Sequence, residues 1–503
     1  LDAPGTPLEI MTIKLRATIL LLVLVSLPLA ALAHVGSPDI YYQGPAGPYS
    51  LMVTIRPPAV IPGVAEIEVH SVSPGVTRVE ILPMQMGGPG ANLAPRPDTA
   101  LPLANDPSTF SGKLWIMARG SWKVQINADG DKGKGTMAVP VAAVATTSFR
   151  MQKTLGILLS VLGLLLVLGL VGIIGAANRD ADLGPDQPPS PAQIRRARWR
   201  MGTAAVLVVT ALFLANWWWG TEAEANAQTI YKLPHVTALL QPGSLLQLTL
   251  DNPNVSPVNQ FRMERWDRLR LDDLVPDHGH LVHLFLVRMP DMQSFWHLHP
   301  AEAGTGEFFQ ALPAMPAGHY QIYADIVHQS GFPETQVGTI DLGNVAGRPL
   351  MGDDSGQSSL APAEKVAQLA DGYRMVWERD TSPLKAKQPM WFRFRIEDQN
   401  GAPAKGVEQY MGMAGHAVFM SNDGKAFAHI HPSGSVSMAA LNVAQGVAPD
   451  ASMSSMAGMG NDARTPEVSF LYGFPQAGDY RIFVQVKRAG TIETGSFLAH
   501  VEN

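Results

Sequence analysis

The chain has no cysteine. That absence removes disulfide staples, zinc–thiolate sites, iron–sulfur clusters and the His2Cys blue-copper centre together, so cupredoxin-type electron transfer has no ligand set here. Charge is sparse as well: charged residues make up 16% of the chain and the formal net charge is -6. No basic field invites nucleic acid. Histidine is missing from the apolar and arginine-rich segments, and all 14 histidines lie elsewhere.

What is present begins with long apolar runs. Leu1 to Ile10 precede Met11 and read as upstream sequence. From Met11, Lys14 and Arg16 form a positive start, Ala17 to Ala30 an apolar stretch, and Ala31-Leu32-Ala33 a small-x-small cleavage site. Residues 1–33 are therefore expected to be removed as a signal peptide, leaving His34 as the first residue. Two further uncharged runs, 154–176 and 202–220, each approach the ~20 residues that cross a bilayer. Arg179, Arg195, Arg196, Arg198 and Arg200 lie between them in a Pro-rich loop, 177–201, which the positive-inside rule assigns to the cytoplasm. Trp217, Trp218 and Trp219 then fall at the outer interface. The expectation is a protein of a bacterial inner membrane whose N- and C-terminal domains both lie on the extracytoplasmic side.

The 503 residues leave room for three or four domains. Short apolar alternations such as Glu66-Ile67-Glu68-Val69-His70, punctuated by Pro and Gly, predict a small antiparallel sandwich over 34–147. Two more are expected over 221–345 and 363–503, divided by a Gly/Ser/Asp/Pro linker at 346–362. The fold class is thus mainly β: three immunoglobulin- or cupredoxin-like antiparallel sandwiches with two transmembrane helices.

The last two sandwiches look like an internal duplication. Ala317-Gly318-His319-Tyr320-Gln321-Ile322 matches Ala477-Gly478-Asp479-Tyr480-Arg481-Ile482, each leading to a final strand. A Gly-His followed by His-x-His-Pro also occurs twice: Gly279-His280 with His297-Leu298-His299-Pro300, and Gly415-His416 with His429-Ile430-His431-Pro432. Residues two apart in a strand share a face, so His297 pairs with His299 and His429 with His431. Asn422-Asp423-Gly424 is a hairpin signal. A two-residue Asp-Gly loop sets His416 opposite His431 and puts three imidazoles on one face; a three-residue loop sends His416 to the other face. The distances from His280 to His297 and from His416 to His429 differ by an even number of residues, which favours the three-histidine face in both copies.

Imidazole is the commonest metal ligand among side chains. His280, His297, His299, His416, His429 and His431 are therefore the candidate ligands, with His278, His283, Met411 and Met413 beside them. In a purely structural role the same rings would bond backbone carbonyls inside a folding hairpin. His235, His319, His328 and His500 carry no pattern and read as structural or surface residues. Neutral imidazoles suit copper(II) and zinc, and thioethers suit copper(I). Met84, Met86, Met411 and Met413 make copper the first expectation and zinc the second. A Met-bearing insertion after Pro432, running to about Thr465 with Met438, Met453, Met456 and Met459, reads as a mobile loop. If His34 is the first residue, its α-amine and ring could join His70 in a three-nitrogen copper site, a histidine brace, with Asp39 as an oxygen ligand.

An N-terminal His after an Ala-x-Ala site on a small sandwich resembles the CopC and YtkA-like periplasmic copper-binding proteins. The resemblance covers 34–147 and lacks most of the CopC ligand motif beyond His34. The two C-terminal copies resemble a bacterial domain type described as cupredoxin-like or heavy-metal-associated. The matching pieces are Met411 to His416, Asp423-Gly424, Phe427 to Pro432 and Gly478 to Arg481. The C-terminal resemblance says little about activity; the histidine pattern and the two uncharged apolar runs lead to the expectation of a membrane-anchored, non-enzymatic copper-binding protein for storage, buffering or delivery to a donor or acceptor protein. Two other classes stay open: a docking module without metal, and a copper oxidoreductase built on the His34 brace.

Overall fold

The structure is a computed structural model. It describes residues 39–87, 91, 93–149, 151–184, 186–254, 270–380, 382–449 and 466–503. The expected signal peptide and His34 lie outside these residues.

Alternation builds the first sandwich. In the strand Gly63–Ser71, Ala65, Ile67 and Val69 turn inward while Glu66, Glu68 and His70 face out. Trp122, Val124, Ile126 and Ala128 of Gly120–Gly130 supply the opposing layer. Asp98–Leu103 pairs with both Val76–Gln85 and Asp106–Ile116, and so passes from one sheet to the other.

The second and third sandwiches repeat one plan. Each has a sheet of short strands: Val236–Gln241, Leu245–Leu250 and Glu307–Ala311 in the first repeat, and Arg374–Glu378, Met390–Glu397 and Glu467–Tyr472 in the second. Each also has a larger sheet, with His283–Met289 beside Gly318–His328 in one copy and His416–Ser421 beside Gly478–Arg488 in the other. The fold is mainly β, as the sequence patterns predict.

The strands His283–Met289 and His416–Ser421 are apolar almost throughout because both of their faces are buried. Leu284 and Leu286 point into the first repeat's own core, as Ala417 and Phe419 do in the second. The alternate residues, Phe285 and Val287 against Val418 and Met420, form a separate core between the repeats. Two stacked aromatic pairs mark a pseudo-twofold axis there. Tyr323 lies on Phe427 at 4.0 Å, and Phe295 lies on Phe483 at 4.3 Å. Tyr323 and Phe483 occupy the same place in their strands, opposite Phe285 and Val418, and Phe295 and Phe427 each stand two residues before a histidine. Each stacked pair adds about 0.5–1.5 kcal/mol beyond the area it buries.

Two expectations about loops are corrected. The segment 346–362 is more than a linker: Ser355–Gln357 adds a strand to the first repeat's large sheet beside Phe295–Leu298. The part of the insertion described here is folded. Ser433 and Ser435 pair with the strand Ile40–Ala46 through Gln43 N–H to Ser433 O (2.8 Å) and Ser435 N–H to Tyr41 O (2.9 Å). The helix Met438–Gln445, capped by Ser437, then buries Met438 and Leu441 in the first sandwich's core. Met453, Met456 and Met459 lie outside the described residues.

Two helices, Lys153–Asp180 and Pro191–Ala227, are long and apolar enough to cross a membrane and are exposed along their lengths. The second begins earlier than its apolar run. Ser190 and Gln193 form a capping box with Pro191 at the first position, so Arg195, Arg196, Arg198 and Arg200 lie on the helix, not in a loop. Tyr231 N–H, just past the hairpin, donates to Ala145 O, just before it, at 2.8 Å.

Candidate metal centre

The hairpin register is the one that sets His416 opposite His431. Ala417 pairs with Ile430 and Val418 with His429, and the ladder continues to the two histidines, whose rings lie 5.2 Å apart. In the first repeat Phe285 pairs with His297 and Leu284 with Leu298, so His283, not His280, stands opposite His299. The two copies therefore align three residues away from the Gly-His match: His283 is the counterpart of His416.

This shift reassigns the preceding turn. Asp277 and His280 exchange backbone hydrogen bonds around His278 (φ 53) and Gly279 (φ 86). Tyr410 and Met413 do the same around Met411 (φ 49) and Gly412 (φ 79). Both central residues of such a turn need positive φ, which glycine adopts freely and other residues only at some cost. His278-Gly279-His280 thus corresponds to Met411-Gly412-Met413.

Packing of the two large sheets brings eight histidines into one cluster. His283, His297 and His299 each offer a nitrogen within 4.8 Å of the others, and His278, His416 and His431 do likewise. His429 lies between the groups, its ring 5.4 Å from those of His283 and His416 and 4.7 Å from that of His431. His280 stacks on His299 at 4.0 Å at the rim, where it and Asp353 are the partly exposed members.

Every ring of the cluster except that of His416 sets one nitrogen near an acceptor. His283 Nε2–H donates to Asp277 O (3.0 Å), His297 Nδ1–H to Gln485 Oε1 (3.0 Å), His299 Nδ1–H to Asp354 Oδ1 (3.1 Å), and His431 Nδ1–H to Val436 O (3.0 Å). His429 Nδ1 lies 3.4 Å from Asp325 Oδ2, and His278 bonds the Met411 backbone. The second nitrogens turn inward. His278 Nε2, His299 Nε2, His429 Nε2, His431 Nε2 and both nitrogens of His416 are buried without a partner. The exception is His416; the rim residue His280 sets its Nε2 3.5 Å from Asp353 Oδ2.

Burial keeps these rings neutral. It pushes His283 down to about 3 and His299 to about 2, and holds His278, His297, His416 and His429 well below the ordinary imidazole value. His431 is lowered too. Burial also drives the Asp325 carboxyl up to about 7 against a hydrogen bond from Thr335. Unprotonated rings with inward lone pairs and outer N–H groups tied to carboxylates or carbonyls are what metal-ligating histidines require.

Of the other candidates, Met413 and His70 belong to the first sandwich. Met413 packs into the first sandwich's core, so its thioether serves packing. Met411 holds the turn position equivalent to His278. His70 faces out on the first sandwich, 2.8 Å from Thr109 Oγ1 and 3.6 Å from Asp106. His319 and His500 form exposed pairs with Asp341 and Asp479. His328 is buried 2.7 Å from Asp273 and 3.5 Å from Glu334; burial alone would lower it, but these carboxylates outweigh burial and carry it up to about 9. Sequence reasoning missed Asp325, Asp353, Asp354 and Gln485, which belong to strands and a presumed linker far from any histidine motif. The alignment of Asp325 with Gln485 in the duplicated strand was the available signal.

The fold and site together define a duplicated β-sandwich module with a buried histidine centre. Residues 367–503 match a family described as a domain of unknown function, DUF8832. No curated protein matches the chain. Among solved structures it is similar to dimeric latent PorU from Porphyromonas gingivalis, at 9% identity over 93% of this chain and 34% of that one (TM-score 0.14). It is also similar to the BSP domain of a biofilm-associated protein, at 8% identity over 95% and 68% of the two chains (TM-score 0.14). A third likeness is to Escherichia coli alpha-2-macroglobulin activated by porcine elastase, at 8% over 91% and 35% (TM-score 0.18). The chain thus spans about a third of PorU and of the macroglobulin. Likenesses this remote say nothing of function.

Proposed function

We propose that this protein binds a metal ion, copper first and zinc second, in the histidine cluster between its two repeats, and serves storage, buffering or delivery. The observation that carries the reading is the set of buried, neutral imidazoles whose inward nitrogens have no partner while their outer nitrogens are held by acceptors. Leaving such a nitrogen unsatisfied costs about 1–3 kcal/mol, so the arrangement favours an added cation. All donors are imidazole nitrogens, and for such sites copper(II) stands above zinc in affinity. The apolar helices would anchor the chain in a bacterial inner membrane, with the sandwiches outside the cytoplasm, where a copper-donor or acceptor protein could reach the rim at His280 and Asp353. Carboxylates near the rings accept hydrogen bonds, which suits holding an ion more than activating water.

The test uses the full chain in detergent, stripped of metal and titrated separately with copper(I), copper(II) and zinc. A variant lacking His297, His299, His429 and His431 is run beside it. Binding well below ~1 mM, an affinity of only about 4 kcal/mol, that disappears in the variant is the expected result. Equal or absent binding in both chains would leave an anchored docking protein as the better account.

A further inference from the structure

We infer that the cluster holds two ions at inequivalent positions, one inside the first repeat and one that clamps the two repeats together. The inference rests on the proposed metal binding and deepens it.

The argument is geometric. Metal–imidazole bonds of about 2.0–2.1 Å place two nitrogens on one ion at most ~4 Å apart. The six nitrogens fall into two groups, each internally close, and not into one. A single ion can therefore satisfy one group only.

The first position is defined by His283, His297 and His299. His283 gives its Nε2–H to Asp277 O and His297 gives its Nδ1–H to Gln485 Oε1. The other two nitrogens, His283 Nδ1 and His297 Nε2, lie 3.1 Å apart, where they can share one proton or one ion. That spacing is close to the separation of two nitrogens on one tetrahedral ion, so an ion can replace the shared proton. His299 Nε2, buried without a partner, completes the group.

The second position takes His278 from the first repeat and His416 and His431 from the second. His416 and His431 are 1% and 2% exposed, and the inward nitrogens of all three lack partners. Here the ligands come from two sandwiches, so the ion is a cross-link between them. His429 Nε2, also without a partner, lies between the positions and is free to serve either. The duplicated turn makes the positions inequivalent: where the first repeat reaches over with His278, the second presents Met411.

The experiment loads the metal-stripped full chain in detergent with zinc or copper(II) and counts ions per chain. Wild type is expected to hold two, and its copper(II) spectrum to show magnetic coupling between neighbouring ions. His278→Met writes the second repeat's residue into a turn whose backbone already tolerates methionine, and should remove the clamping ion alone. His299→Ala should remove the other. Each variant should keep one ion and give an uncoupled spectrum. One uncoupled ion in wild type, lost equally in both variants, would overturn the two-ion inference and leave metal binding intact. No ion in wild type would overturn both. The wild-type count and spectrum decide the matter even if a variant misfolds.

Discussion

The two repeats share a skeleton and differ in what they place around the histidines. Tyr323 on Phe427 and Phe295 on Phe483 are related by the pseudo-twofold axis, and so are the three ladder histidines of each copy. Each copy also reaches across to the other's middle histidine: Asp325 to His429, Gln485 to His297. At these positions the chemistry departs from symmetry. One partner is a carboxyl and the other an amide, one turn carries two histidines and the other two methionines, and only the first repeat has Asp353 and Asp354 at its edge. Duplication supplied the packing, and substitution at a few positions around the histidines made two environments from it.

The largest expected effect separates the cluster from the other buried histidine, His328. His278, His283, His297, His299, His416, His429 and His431 have folded pKa values depressed below the unfolded ~6.5, so the unfolded chain binds protons that the folded chain refuses. The stability of the metal-free protein should be full above pH ~6.5 and fall as pH drops toward about 3, by about 1.4 kcal/mol per pH unit for each such histidine. For His328, raised to about 9, the sign reverses: its contribution is full below ~6.5 and lost as pH rises through about 9. Denaturant titrations across pH check both limbs, and a flat acid limb would contradict the neutral cluster.

Next in size are the stacked pairs. Phe427→Ala and Phe295→Ala should each cost about 3–5 kcal/mol, and by nearly equal amounts if the axis governs the interface. A strongly unequal pair, measured by denaturation, would break the symmetry argument. His416→Leu follows. With both nitrogens unpartnered, its replacement should leave the metal-free chain unchanged or about 1–3 kcal/mol more stable while abolishing binding at its position. A clear loss of stability would make His416 a structural residue. Smaller still, Asp325→Asn should weaken copper or zinc binding by about tenfold, near 1.4 kcal/mol, and Gln485→Glu should act oppositely. Met413→Leu, a core swap, should cost under ~1.5 kcal/mol and leave binding untouched.

The sandwiches and the duplication were legible because strand alternation is a local signal; the His416–His431 register was one of two the sequence allowed, and it is closed by a turn from Ser421 to Gly424 in place of a two-residue Asp-Gly loop. The pairing of His283 with His299 was not legible, since the string Gly-His aligned the copies three residues away from their ladders. Nor could local patterns show that Asp353 and Asp354 belong to the centre, because a Gly/Ser-rich stretch becomes a strand only when a sheet edge lies ready for it. The face-to-face packing that turns two triads into one cluster depends on Phe285, Val287, Val418 and Met420, which read in the sequence as ordinary core.

The hydrogen bond from Tyr231 to Ala145 has a practical meaning. The chain leaves the first sandwich and returns at almost the same point, Thr146, Thr147 and Thr229 still bonding to that sandwich, so residues 148–228 form a detachable excursion. Ends already held at hydrogen-bonding distance can be joined by a short turn at little entropic cost. The geometry therefore permits a water-soluble version that keeps all three sandwiches and the histidine centre, and it separates the question of what the protein holds from the question of where it is kept.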